Sequence, residues 1–175
     1  DVRAEDRATQ YGHRAAIVLF TGSAQTGKTF LARRVEALLV ADSRHAYLLE
    51  GENLLQGLDA DLSAADPSFA AERVRRYGEV ARLLIDTGLI VVSTSKTFGI
   101  NYQRMAEMIR TLVQPAPVIA VHMSRAGEEP PPNTDLHFAG PQDFDAAARQ
   151  ILEELKRRGV LIQPSGTKST IQYSI

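Results

Sequence analysis

Eight consecutive residues restrict this chain more than any other stretch. Gly22, Ser23, Ala24, Gln25, Thr26, Gly27, Lys28 and Thr29 fit the pattern G-x-x-x-x-G-K-[ST] without a mismatch. The apolar run Ala15–Phe20 before it reads as a buried strand, and the amphipathic run Phe30–Val40 after it reads as a helix. A glycine-bearing turn between strand and helix aims several backbone N–H groups at one anion. Lys28 can then reach the outer phosphates of a nucleotide, and the Thr29 hydroxyl can ligate Mg²⁺. The expected ligand is a nucleoside triphosphate. No Asn-Lys-x-Asp run is present to read guanine, which points away from GTPases, and the small size with four helix–strand units favours a nucleoside- or metabolite-kinase-like domain.

The rest of the chain supplies a frame for that loop. Its 175 residues suit a single α/β domain spanning 1–175, with 1–14 as a surface arm and 163–175 as a polar tail. Buried-strand patterns recur at His45–Leu49, Leu89–Val92, Val118–Val121 and Leu136–Phe138. Helical periodicity occupies Phe69–Asp86, 101–113 and a last segment that starts at Pro141 or Asp143 and runs to Arg158. Val160–Ile162 is expected to add an edge strand. Alternating strands and helices imply a three-layer phosphate-loop, nucleotide-kinase-like fold, with a central parallel sheet flanked by helices.

Composition excludes several chemistries. There is no cysteine, so disulfides, thiolate nucleophiles and cysteine-ligated zinc are ruled out. A net charge of −1 offers no bulk attraction to nucleic acid or an acidic membrane. No apolar run is long enough to span a bilayer, and a cytoplasmic location is the expectation. The start at Asp1, without an initiator Met, suggests a piece of a longer polypeptide, and processing would give the same start.

Two further groups of residues are candidates for the site. Glu50 and Glu52 flank Gly51 at the carboxyl end of the second strand, where open parallel sheets place their ligands. Either carboxylate could orient Mg²⁺ or accept a proton, and a solvated acidic turn explains them equally well. Lys96 sits among hydroxyl residues after the third strand and would face the same crevice, and a plain capping loop for the next helix explains the stretch equally well. Arg73, Arg75 and Arg76 read as a solvated helix face, with Arg75 paired to Glu79. His13, His45, His122 and His137 lack ligand spacing and read as structural.

In order and spacing, nearly the whole chain resembles the adenylylsulfate kinase family. Tyr11–Gly22 looks like that family's lead-in to its loop. Leu49-Glu-Gly-Glu-Asn-Leu-Leu-Gln-Gly-Leu58 stands where the family has Leu-Asp-Gly-Asp-Asn-Val-Arg-x-Gly-Leu, and Glu72–Arg76, Glu79–Leu83 and Gly88–Val92 track its central helix and next strand. The resemblance implies MgATP-dependent phosphorylation of the 3′-hydroxyl of adenylyl sulfate (APS) to give PAPS. It also implies ATP or ADP, APS and PAPS as ligands, a sulfate-activating neighbour domain and a homo-oligomer. Lys28, Glu50, Glu52 and Lys96 would be the catalytic set, and Thr29 with Glu52 would hold Mg²⁺.

Departures from the family pattern cluster on the acceptor side. Both aspartates of the Asp-Gly-Asp turn are glutamates, the arginine of Asn-Val-Arg is Leu55, an Asp-Arg pair is Phe69-Ala70, and an asparagine is Arg73. Ser-Phe-Ile-Ser-Pro becomes Thr94-Ser-Lys-Thr-Phe98, which removes an aromatic platform. The family's long basic lid is missing, with Arg125, Gly127 and Glu128 as its stump. These losses imply slow catalysis, or a domain that senses nucleotide or supports assembly without turnover, or a kinase with another acceptor.

Overall fold

The computed structural model describes residues 2–94, 101–140 and 143–162. Its elements run α1 (Ala4–Tyr11), β1 (Ala16–Gly22), α2 (Lys28–Ala41), β2 (Ala46–Glu50), a 3-10 turn (Gly51–Leu54), α3 (Phe69–Asp86), β3 (Ile90–Thr94), α4 (Tyr102–Val113), β4 (Val118–Ser124), β5 (Leu136–Ala139) and α5 (Phe144–Arg157). All four strand pairings are parallel, in the order β2-β3-β1-β4-β5. The three-layer parallel architecture expected from the strand–helix alternation is the one observed.

Strand alternation sorts the core into two layers. Ala16, Val18 and Phe20 of β1, with Ile90 and Val92 of β3 and Ile119, Val121 and Met123 of β4, face Leu31, Val35 and Leu39 of α2 and Ile151 and Leu155 of α5. Ile17 and Leu19 of β1, with Val91 of β3, face Val74, Tyr77 and Ala81 of α3 and Met105 and Ile109 of α4. Because β1 is covered on both faces, all seven of its residues are buried. A Cβ on Gly78 would lie 2.4 Å from Leu112 Cδ1, so this glycine lets α3 and α4 approach closely.

Local chemistry fixes the helix ends. The Asn101 side chain accepts from Arg104 N at 2.8 Å, and Asp143 Oδ1 accepts from the amides of Asp145 and Ala146 at 3.0 Å. The observed helix α3 has the bounds expected from its periodicity, whereas β1, β3 and β4 each reach two or three residues farther toward their carboxyl ends. Val160–Ile162 departs from expectation. It forms an isolated antiparallel bridge between Leu161 and His13 instead of an edge strand. Arg14 N donates to Val160 O and Ile162 N to Gly12 O, so backbone pairing with the segment before β1 replaces a place on the sheet.

Candidate phosphate-binding site

The register brings the carboxyl ends of β1, β2 and β3 to one crest, with Phe20 opposite Thr94 and Thr94 opposite Glu50. From that crest the chain turns through Ser23–Gly27 into α2. Gly22 has φ +124°, and a Cβ there would stand 1.8 Å from Met123 O. Gly27 has φ +87°, with the Phe144 ring 2.6 Å from where a Cβ would be. Side chains are barred at both points, so the loop can hug β4 and α5.

The loop is held by its own groups. Ser23 N donates to Met123 O at 3.0 Å, Thr26 Oγ1 donates to Ser23 O at 2.9 Å, and Lys28 Nζ crosses the loop to donate to the same carbonyl. Burial pulls the half-buried Lys28 ammonium below its usual range, and the Glu52 carboxylate partly opposes that pull. Lys28 and Glu52 are therefore electrostatic neighbours across the crevice. Thr29 lies exposed in the first turn of α2, and its hydroxyl and the Glu52 carboxylate are the hard oxygen donors that suit Mg²⁺.

The two acidic candidates differ in their surroundings. Glu50 Oε1 accepts from Arg33 Nη2 at 3.0 Å, so α2 engages it. Glu52 sits on the 3-10 turn nearer the lysine. Ala24 and Gln25 form the exposed tip of the loop, with Gln25 in the left-handed region at φ 61°. Lys96 lies outside the described residues.

Several contacts at the site were not legible from motifs. Thr21 Oγ1 lies 2.9 Å from His122 Nδ1, and the His122 and His137 ring centres are 5.9 Å apart. Burial first, then His137 and Lys28, hold His122 below its usual range. Glu128 Oε2 accepts from Ser23 Oγ at 2.5 Å and from Arg125 N at 3.0 Å. The short β4–β5 connection therefore rests a carboxylate on the phosphate loop, and both bonds lower its pKa. Tyr77 donates its hydroxyl to Leu49 O at 2.8 Å and sits 2.5 Å from Ser93 Oγ, which pins α3 beneath the crest. The β4 residue that faces Thr21 can be identified only once strand register is known.

The arginines of α3 correct the expectation of a solvated face. Arg73 is buried, donates to Asp59 Oδ2 at 3.2 Å and lies 5.4 Å from the Phe69 ring centre. Arg76 grips Asp61 and Leu58 O. Together they clamp the 55–68 segment onto α3. Arg75 is exposed, but its closer partner is Glu72, at 2.8 Å, with Glu79 at 4.0 Å.

Comparison with known proteins decides the family. The sequence profile described as adenylylsulphate kinase matches residues 14–130, more than half of the chain. An adenylyl-sulfate kinase of Yersinia pestis is 30% identical over 186 aligned positions, covering 90% of this chain and 85% of its own length.

This chain belongs to the adenylylsulphate kinase family.

A Shewanella amazonensis adenylyl-sulfate kinase is 40% identical over 119 positions, which span 68% of this chain and 58% of the relative. The APS kinase CysC of Mycobacterium tuberculosis superposes with a TM-score of 0.71 at 29% identity, over 82% of this chain and 99% of that one. The 186 positions aligned with the Yersinia kinase exceed the residues of this chain that they cover, so that relative carries residues with no counterpart here. Among the described residues no helix is long and apolar enough to cross a membrane.

Proposed function

We propose that this domain binds MgATP through Gly22–Thr29 and phosphorylates the 3′-hydroxyl of adenylyl sulfate, giving PAPS at a low rate. The observation that carries the nucleotide reading is the preformed loop: Lys28 spans it to Ser23 O, with Glu52 as its electrostatic neighbour. The amides of the loop would cradle the β- and γ-phosphates, and Lys28 would follow the charge moving onto the transferred group. Thr29 and Glu52 would hold Mg²⁺, which neutralises phosphate charge when bound. Glu52 or Glu50 would orient the acceptor hydroxyl, and Lys96 would supply a second cation. Membership of the adenylylsulphate kinase family supports this chemistry.

The low rate follows from the acceptor side. Arg73 already spends its charge on buried Asp59, and Glu50 on Arg33. Only residues 125–135 join β4 to β5, too short a connection to close over two substrates and exclude water. That same observation favours a second reading, in which the domain holds nucleotide without turnover, as a sensing or assembly module of a larger sulfate-activating protein. Incubation with MgATP and adenylyl sulfate separates the two. Lys28-dependent PAPS formation supports the kinase; its absence, with ATP binding retained, supports the holding module. If neither turnover nor ATP binding occurs, both readings fail.

A further inference from the structure

A cavity lies at the opposite end of the sheet from the phosphate loop. It has a volume of about 680 Å³ and opens between α1 and the amino ends of β1, β3 and β4, where Ala15, Gly88 and Pro117 line it. Its apolar wall includes Ala8, Ile85, Val113 and Val160. Four arginines also reach it: Arg7, Arg14, Arg82 and Arg158.

Those four cations are not equivalent. Arg82 is engaged by Glu79 at 2.9 Å and Asp86 at 3.2 Å. Arg158 is engaged by Glu154 at 2.8 Å and by Asp135. Arg7 and Arg14 have no ion pair among the described residues, and the lining holds two acids, Glu5 and Asp86, against the four arginines. With Arg82 and Arg158 each held by two carboxylates, Arg7 and Arg14 are the lining cations that can turn to a ligand beside the apolar surface. The volume suits a small molecule and is too small for a folded partner. Guanidinium groups favour oxyanions by bidentate hydrogen bonding.

We propose that this cavity is a second ligand site, separate from the phosphate loop, which takes a small organic phosphate or sulfate ester. Arg7 and Arg14 hold the oxyanion, and the Ile85–Val113–Val160 wall covers the organic part. The site does not depend on the function assigned to the loop.

The test uses Lys28→Ala protein, in which the phosphate loop is disabled, titrated calorimetrically with AMP in Mg²⁺-free buffer. A parallel titration uses inorganic phosphate. One saturable site for AMP is expected, with inorganic phosphate at least tenfold weaker because it lacks an apolar part. Adding Arg7→Gln and Arg14→Gln should weaken the ester at least tenfold, and Ala8→Trp should block it while leaving charge unchanged. Thermal unfolding of each variant confirms that it is folded. No saturable binding, or binding indifferent to both arginine substitutions, overturns the proposal. Equal binding of inorganic phosphate overturns the assignment to an ester.

Discussion

Tyr77 shows how one side chain supports the crest without touching a ligand. Its fully buried hydroxyl satisfies Leu49 O and meets Ser93 Oγ, joining α3 to β2 and β3 beneath Glu50 and Thr94. Burial pushes its pKa well above the usual range, so it stays a neutral donor. Tyr77→Phe strands those two groups and should cost about 1–3 kcal/mol in chemical denaturation. Lys28 acts on the ligand directly. Lys28→Ala removes a charge-assisted contact of about 1.5–3 kcal/mol, so MgATP affinity measured by calorimetry should fall by roughly 10- to 100-fold. The phosphate loop was fully legible as sequence because backbone geometry dictates its glycines and its lysine. Tyr77 was legible only as a core residue, since its hydroxyl partners come from two other elements.

At the scale of elements, α3 with the 55–68 segment is where local reasoning misled. Spacing rules describe a helix's own surface, and on that surface Arg73 has only solvent or neighbours four residues away. Asp59 arrives from a loop fourteen positions earlier and turns Arg73 inward. Breaking a buried pair on one side leaves an uncompensated charge. Arg73→Ala should therefore cost about 3–5 kcal/mol in urea unfolding, and the double variant Asp59→Asn/Arg73→Asn should recover much of that loss. A double variant as unstable as the single would show that the pair is not what clamps the segment. The β4–β5 connection makes the opposite kind of contact. Glu128 holds negative charge on Ser23 at the mouth of an anion site. Glu128→Gln should tighten ATP binding several-fold, and weaker binding would instead make Glu128 a support of the loop.

For the whole molecule, a two-layer core around β1 was readable from alternation and helical period, because every strand obeys one period and every helix the other. The way the lead-in to β1 is tied was not. His13 is buried, with Nδ1 hydrogen-bonded to Arg14 O at 3.1 Å and Nε2 accepting from His45 N at 3.0 Å. That joins the lead-in to β1 with the start of β2. Burial lowers its pKa below the usual 6.5, and His122 is lowered likewise. A histidine that prefers neutrality in the fold contributes stability that is complete above about pH 6.5 and is lost as pH falls through its folded value. The unfolding temperature should accordingly stay level from pH 8 to 7 and decline toward pH 5, with a shallower decline in His13→Gln.

Calorimetric titration of the domain with ATP, with and without Mg²⁺, tests the central claim most directly: the phosphate loop is a working nucleotide site on a scaffold whose acceptor side has changed. The account predicts one Mg²⁺-dependent isotherm that Lys28→Ala weakens by an order of magnitude or more. An isotherm that is absent, or that survives Lys28→Ala unchanged, would contradict it.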